Sequence, residues 1–102
     1  MKRLEKIEEL PSFFREYFSR KGLKVRVILF GSRARGTNTP FSDIDTAIES
    51  EKDLNSKIDE LKELLETSFL PQKVDVVELR KLPKDFRKEI EKEGKVWVDL
   101  KN

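Results

Sequence analysis

The sequence predicts an α/β fold of the α+β type, with three or four short strands and a set of amphipathic helices. Two observations carry this prediction. The runs VRVILF (25–30) and KVDVVEL (73–79) are rich in β-branched residues, as buried strands are. Leucine and isoleucine recur at helical spacing between residues 54 and 65. Because the chain has 102 residues, a length typical of one domain, we expect a single domain spanning residues 1–102.

The first helical segment precedes the first strand. Leu4, Ile7 and Leu10 recur at helical spacing, and Pro11 is expected to kink the helix or to restart it. Gly22 supplies a stop signal. We expect the aromatic residues of this segment to lie in the core or at an interface: Phe13, Phe14, Tyr17 and Phe18.

A second strand is predicted at SDIDTAI (42–48). It follows residues 31–42, which are rich in Gly, Ser, Thr, Asn and Pro and are expected to form a loop with at most one helical turn. Side chains alternate along a strand, so Asp43 and Asp45 lie on one face and Thr46 lies on the other, otherwise apolar face.

The next helix is expected to be capped by Ser50 or Asp53, which are side chains that favour helix starts. A third strand is predicted at residues 73–79, after Pro71. The apolar stripe predicted for the helix consists of Leu54, Ile58, Leu61, Leu64 and Leu65.

A last helix is predicted between Pro83, which fits a first helical turn, and Gly94, which stops the helix. KVWVDL (95–100) then adds a short edge strand or a docking tail, with Trp97 as a packing anchor. The apolar residues of this helix are Phe86 and Ile90.

The composition excludes several kinds of chemistry. The chain contains no cysteine and no histidine, which rules out disulfides, Cys/His zinc sites, cysteine nucleophiles and a histidine general base. Its 22 basic and 20 acidic residues give a net charge of +2, so bulk electrostatics do not indicate nucleic-acid binding. Since no apolar run is long enough to span a membrane and no secretory h-region follows the charged start, we expect a cytoplasmic protein.

The turn Gly31-Ser32 comes directly after the first strand. A glycine there allows a ligand to approach the backbone closely, and backbone N–H groups beside a serine can hold phosphate oxygens. Taken alone, such a pair is more often an ordinary strand-to-helix turn. It is neither a Walker A loop, because the Lys-Ser/Thr ending is missing, nor a nucleophile elbow, because Gly-x-Ser-x-Gly is absent.

Asp43 and Asp45 are separated by one isoleucine within an apolar strand. Two carboxylates on one face repel each other and resist burial, so they either lie exposed at a strand end, are paired with cations, or bind a hard cation such as Mg²⁺. Asp75 is a third acid in an apolar strand. A lone strand aspartate is more often an edge or hydrogen-bonded residue. Beside Asp43 and Asp45, however, it would complete a cluster able to hold two metals about 3.5–4 Å apart.

Taken together, Phe30-Gly31-Ser32, the spacer, Asp43-Ile44-Asp45-Thr46 and Asp75 resemble the nucleotidyltransferase superfamily of DNA polymerase β. The stretches GSRARG and SDID are typical of its minimal nucleotidyltransferase (MNT) branch. Thr46 is the one departure, since an apolar residue is usual there, and we do not expect it to matter. The resemblance covers residues 25–79 well and the following tail loosely. It implies a small mixed sheet of three to four strands with helices packed against it.

The resemblance also implies roles for the acids. Asp43 and Asp45 would ligate two Mg²⁺ ions, for which Mn²⁺ is a substitute. Asp75 would ligate the catalytic metal and help to activate the acceptor hydroxyl.

The turn would bind the incoming nucleotide, ATP or another NTP. Gly31 and Ser32 would contact its β- and γ-phosphates. Arg33 and Arg35 lie where they would meet phosphate or a partner, or else form a solvated turn.

The first functional hypothesis is a metal-dependent enzyme that transfers a nucleoside monophosphate, expected to be AMP, from an NTP to a hydroxyl. The resemblance to MNT implies an antitoxin that adenylylates a helical HEPN-type toxin. Because the chain leaves little room for an acceptor domain, we expect the acceptor, or half of its site, on another chain, docked on the N-terminal aromatic helix and the Trp97 tail. The alternatives are a non-catalytic antitoxin that acts by binding alone, or an enzyme acting on a small molecule, for example as a homodimer.

Overall fold

A computed structural model describes residues 4–101, which form four helices, four strands and two 3₁₀ turns. The helices are α1 (Leu10–Arg20), α2 (Ser32–Arg35), α3 (Asn55–Glu66) and α4 (Lys84–Glu93). The strands are β1 (Arg26–Phe30), β2 (Ile44–Glu49), β3 (Val74–Glu78) and β4 (Lys95–Asp99). The 3₁₀ turns are Ile7–Glu9 and Leu79–Lys81. The predicted α+β fold is confirmed.

The four strands form one mixed sheet in the order β3-β2-β1-β4. β1 pairs antiparallel with both β2 and β4, whereas β2 and β3 are parallel and are joined by α3. Parallel neighbours need such a crossover connection. The sequence left open whether residues 95–100 form an edge strand or a docking tail, and the structure makes β4 an edge strand.

The larger core lies on one face of the sheet, under α1 and α3. Alternation places Val27 and Ile44 on this face, where they pack with Phe14, Phe18 and Leu61, all fully buried. Pro11 stands in the first turn of α1, where its missing N–H costs no hydrogen bond. It therefore begins the helix rather than kinking it.

A smaller core lies on the opposite face, under α4. Ile28 and Ala47 are paired across β1 and β2 and pack with Ile90 of α4. The next row along this face consists of Phe30, Asp45 and Asp75, again direct neighbours across three strands. The buried apolar residues on this face thus end at the row that contains the two carboxylates. The candidate site lies at this boundary.

The expected apolar stripes of α3 and α4 and the expected docking surface need correction. Leu64 is 37% exposed and Phe86 is 43% exposed, so the apolar stripes of α3 and α4 are narrower than predicted. All four aromatic residues of the N-terminal helix are buried between that helix and the rest of the larger core. The Trp97 ring is half-buried, and its centroid lies 6.4 Å from that of Phe14, as a packing anchor would. These aromatic residues are therefore part of the core and not a docking surface.

The prediction that Ser50 or Asp53 caps α3 is confirmed in part. The residue before α3 is Leu54, not Ser50 or Asp53. Its N–H donates to the buried Glu78 carboxylate at 3.0 Å, while Asp53 accepts from the N–H of Asn55 at 3.1 Å. A distant acid and a local one thus share the N–H groups at the start of α3. None of the helices in residues 4–101 is long and apolar enough to cross a membrane.

Glu78 is predicted to stabilise the whole domain. The residue is 7% exposed, and its other carboxylate oxygen lies 2.7 Å from Lys81 Nζ. Glu78→Ala should lower the free energy of unfolding by about 1–3 kcal/mol, because the Leu54 N–H is left buried without an acceptor. Urea unfolding followed by circular dichroism measures this loss.

Glu91→Ala is the matched control, since Glu91 is exposed on α4, and should change stability by less than about 0.5 kcal/mol. Glu78→Gln keeps an acceptor for Leu54 and should fall between the two. Equal stability of Glu78→Ala and Glu91→Ala would contradict the capping role.

Candidate functional site

Asp45 and Asp75 form the centre of the candidate site. They are register partners on the parallel strands β2 and β3, whose backbones lie about 4.8 Å apart in such a sheet. Both side chains are half-buried, and Asp43 is exposed immediately before β2, two residues from Asp45. The sheet thus brings two of the three predicted acids side by side and leaves the third exposed just before β2.

The local electrostatics disfavour the ionised form of Asp45. Burial raises the pKa of Asp45 above its ordinary value, and the charges of Asp75 and Asp43 raise it further, while Arg35 opposes them. Lys73 Nζ lies 3.5 Å from Asp75 Oδ1, on a largely exposed side chain. A half-buried acid close to other acids is typical of functional sites.

The acids have the ligand chemistry of a magnesium site, but their side chains are not yet arranged around a single ion. Their donors are carboxylate oxygens, the ligands that Mg²⁺ prefers. Within residues 4–101, no three acidic side chains are already arranged to hold a metal ion. Asp43 is exposed, so its side chain can rotate towards the half-buried pair. Metal binding by all three acids stays a prediction.

The turn at Gly31 lies directly against Asp45. Gly31 has φ +76°, a conformation that side chains with a Cβ rarely adopt. A Cβ built there would overlap Asp45 Oδ2 and lie 3.2 Å from Asp45 Cγ. Helix α2 begins at Ser32, and the N–H groups of Ala34 and Arg35 donate to the Gly31 carbonyl. A side chain at residue 31 would therefore meet Asp45 before it met any ligand.

The two arginines of this turn have different neighbours. Arg33 donates to three backbone carbonyls of the loop before Asp43. Arg35 lies 3.6 Å from Glu93 of α4 and lines a small cavity with Gly31. The predicted contacts of both arginines with nucleotide stay predictions. Of the two guanidinium groups, that of Arg33 is the one held by backbone carbonyls.

An open cleft of about 750 Å³ adjoins the acids, a volume in the range of small-molecule sites. Asp45 and Asp75 line it together with Lys73 and an aromatic pair, Phe30 and Phe86, whose ring centroids are 6.0 Å apart. The cleft combines carboxylates, a cation and an apolar wall.

Thr46 has a role that the sequence did not predict. It is fully buried, and its hydroxyl donates to the backbone carbonyl of Asp75 at 2.8 Å. The bond ties β2 to β3 next to the paired acids. Its signal in the sequence was the polar residue at an otherwise apolar position.

Asp45→Asn is predicted to stabilise the metal-free protein at pH 7. Because the folded pKa of Asp45 is raised, the unfolded chain ionises first as pH rises, and stability is lost from the ordinary value of 3.8 up to the folded pKa. Above the folded pKa, the wild type carries the full free-energy penalty of an ionised Asp45, whereas the uncharged Asp45→Asn variant does not. Thermal melting at pH 7 and at pH 3 should show the variant ahead at the first and level at the second.

Addition of Mg²⁺ should reverse that order. The wild type should gain in melting temperature and Asp45→Asn should gain less, because a ligand that binds the folded state alone stabilises it. Asp59→Asn, at an exposed position on α3, is the control and should follow the wild type. Identical metal titrations for the wild type and Asp45→Asn would refute the cluster.

Gly31→Ala and Gly22→Ala form a matched pair for the turn. Both glycines have positive φ, but a Cβ at Gly22 would meet nothing within 4 Å. Each variant should lose about 1–2 kcal/mol of stability to backbone strain. Gly31→Ala alone should also displace the Asp45 carboxylate and abolish binding of Mg²⁺-ATP in calorimetry. Normal binding by folded Gly31→Ala would show that the close approach is not needed.

Comparisons with known proteins show which family this chain belongs to. Residues 8–98 match the sequence profile of the nucleotidyltransferase domain family. A protein from Haemophilus influenzae, named probable protein adenylyltransferase MntA, is 42% identical over 64 residues, or 62% of this chain. That match spans 56% of the relative's own length.

Two solved structures share the fold at low sequence identity. A toxin–antitoxin crystallised with AMP-PNP superimposes with a TM-score of 0.64 at 23% identity, covering 87% of this chain and 73% of that one. A mutant of the toxin–antitoxin MntA–HpeT gives a TM-score of 0.61 at 19% identity, covering 87% and 72%. With most of its length matched by the family profile, the chain belongs to the nucleotidyltransferase domain family.

Proposed function

We propose that the protein transfers a nucleoside monophosphate, AMP in the first instance, from an Mg²⁺-bound NTP to a hydroxyl group on a partner protein. The observation that carries this proposal is the Asp45–Asp75 pair, set side by side on parallel strands, with the Gly31 turn directly against Asp45. A metal cluster and a phosphate-binding turn are the two parts that such a transfer needs. Their contact means that one nucleotide would engage both.

The reaction is an in-line displacement at the α-phosphorus. The acceptor oxygen forms a bond to phosphorus, the bond from the α-phosphorus to the bridging oxygen breaks, and pyrophosphate leaves. Bound Mg²⁺ would supply charge neutralisation and a lower hydroxyl pKa. The chain contains no histidine, so we propose a carboxylate, that of Asp75, as the group that would take the hydroxyl proton and pass it to water.

The residues divide this work between them. Asp43 and Asp45 would hold both ions, and Asp75 would hold the ion nearest the acceptor. The Gly31-Ser32 turn would cradle the β- and γ-phosphates, with Arg35 as an additional positive charge close by.

The partner is inferred from the relatives. The adenylyltransferase relative is named for action on protein, and two structural neighbours are toxin–antitoxin proteins. From these we infer an antitoxin role with a toxin as acceptor, and the HEPN type of that toxin rests on the resemblance to the MNT branch alone. Phe41 favours a large acceptor, because it is 91% exposed in the loop that leads into Asp43. Such a pair would work in the cytoplasm, where ATP is available.

Two other functions give different outcomes in the same experiment. A non-catalytic antitoxin would bind and silence its partner without modifying it. A small-molecule nucleotidyltransferase, with or without a homodimer, would release pyrophosphate with a small hydroxyl compound and ignore the partner.

The test is to co-express the chain with the protein encoded beside it and to weigh that protein by mass spectrometry. One AMP adds about 329 Da, and the wild type should produce this increment. The Asp43→Asn, Asp45→Asn double variant should not, and Asp59→Asn should behave as the wild type. Since loss of Asp45 is expected to stabilise the fold, a missing increment would not come from unfolding.

A neighbour that is bound but keeps its mass would overturn the enzyme in favour of the binding protein. A neighbour that does not bind, together with pyrophosphate release in a screen of small hydroxyl compounds, would favour the small-molecule enzyme.

A further inference from the structure

The segment Thr39–Ser42 lies immediately before Asp43 and is held by a side chain from α2. Arg33 Nη2 donates to the carbonyls of Thr39, Pro40 and Ser42 at 3.4, 3.3 and 3.1 Å. Its Nε donates to Ser42 again at 3.3 Å. One guanidinium thus spans the whole segment up to the residue next to Asp43.

A second side chain reaches the same segment from the other side of the site. Gln72 Nε2 donates to the Pro40 carbonyl at 3.1 Å. Gln72 stands three residues before Asp75, and Arg33 stands two residues after Gly31. The Pro40 carbonyl is therefore the point where the segments carrying the turn, Asp43 and Asp75 are linked.

The segment is also ordered from within. The Thr39 N–H donates to Ser42 Oγ at 2.9 Å, and the Ser42 N–H donates to the Thr39 carbonyl at 3.1 Å. These bonds close a compact turn, and Arg33 attaches that turn to the body of the domain. Guanidinium groups suit this task because their donors are fixed in a plane and stay charged.

We propose that Arg33 and Gln72 are positioning residues, which hold the Pro40 carbonyl and thereby set Asp43 relative to Asp45 and Asp75. The proposal rests on the proposed function, because it gives Asp43 a place in the metal site. It assigns Arg33 to the loop backbone and leaves Arg35 as the arginine available to phosphate.

A positioning role and a phosphate contact predict different losses. If Arg33 positions Asp43, its removal weakens metal binding before any nucleotide is added. If Arg33 contacts phosphate, its removal weakens ATP binding and leaves the affinity for metal alone intact.

The experiment compares Arg33→Gln, Arg33→Lys, Gln72→Leu and the control Arg20→Gln. Arg20 is an exposed arginine that pairs with Glu16 at the end of α1, remote in sequence from the site. Two quantities are measured without nucleotide: amide hydrogen exchange at Thr39, Phe41 and Ser42 by NMR, and the Mn²⁺ dissociation constant by electron paramagnetic resonance.

Arg33→Gln should speed exchange in the segment and weaken Mn²⁺ binding, each by about tenfold, the effect expected from one lost charged hydrogen bond. Gln72→Leu should show the same two changes to a smaller degree, Arg33→Lys should recover part of the Mn²⁺ affinity, and Arg20→Gln should match the wild type. If Arg33→Gln does not fold, Arg33→Lys and Gln72→Leu decide the question by the same readouts.

Unchanged exchange and unchanged Mn²⁺ affinity in folded Arg33→Gln, with ATP binding lost, would overturn the proposal in favour of a phosphate contact. Faster exchange with unchanged Mn²⁺ affinity would overturn it as well, because the segment would then not govern Asp43. A wild type that binds no Mn²⁺ would refute the metal site and the proposed function, while the exchange data would still decide whether Arg33 holds the segment.

Discussion

The parallel pairing of β2 with β3 is the constraint on which the rest of the structure depends. It puts Asp45 and Asp75 in one row of the sheet and forces two negative charges into a half-buried place. Helix α3 must then cross from the end of one strand to the start of the other, and Glu78 anchors that helix where β3 ends. The same pairing is reinforced by the hydroxyl of Thr46.

Repulsion between Asp45 and Asp75 destabilises the folded protein, so stability alone gives no reason to keep both acids. Hydrophobic burial elsewhere is extensive, with α1 and α3 covering one face completely enough to bury Phe14, Phe18 and Leu61. The protein can thus tolerate an unfavourable charge cluster at one end of its sheet. Sites that bind ligands commonly give up stability in this way.

Local patterns predicted the elements well, because β-branched runs and helical leucine spacing are properties of short segments. The acids were predicted because aspartates are unusual in such runs, and the family resemblance added the mixed sheet. What failed depended on distant residues. The N–H of Leu54, at the start of α3, donates to Glu78, which is more than twenty residues away, and the burial of the α1 aromatic residues depends on the sheet beneath them. The arginine loop bonds and the Thr46 bond carried no signal in the surrounding residues beyond polarity.

The contact between Gly31 and Asp45 also has an evolutionary consequence. The Asp45 carboxylate occupies the space that a side chain at residue 31 would need, so residue 31 cannot change while Asp45 stays as it is. If a related protein replaces the acid at residue 45 with a smaller side chain, the steric constraint on residue 31 is removed. Only the positive φ then favours glycine at residue 31. In a diverging set of such proteins, substitutions at the glycine should therefore follow loss of the acid and not precede it.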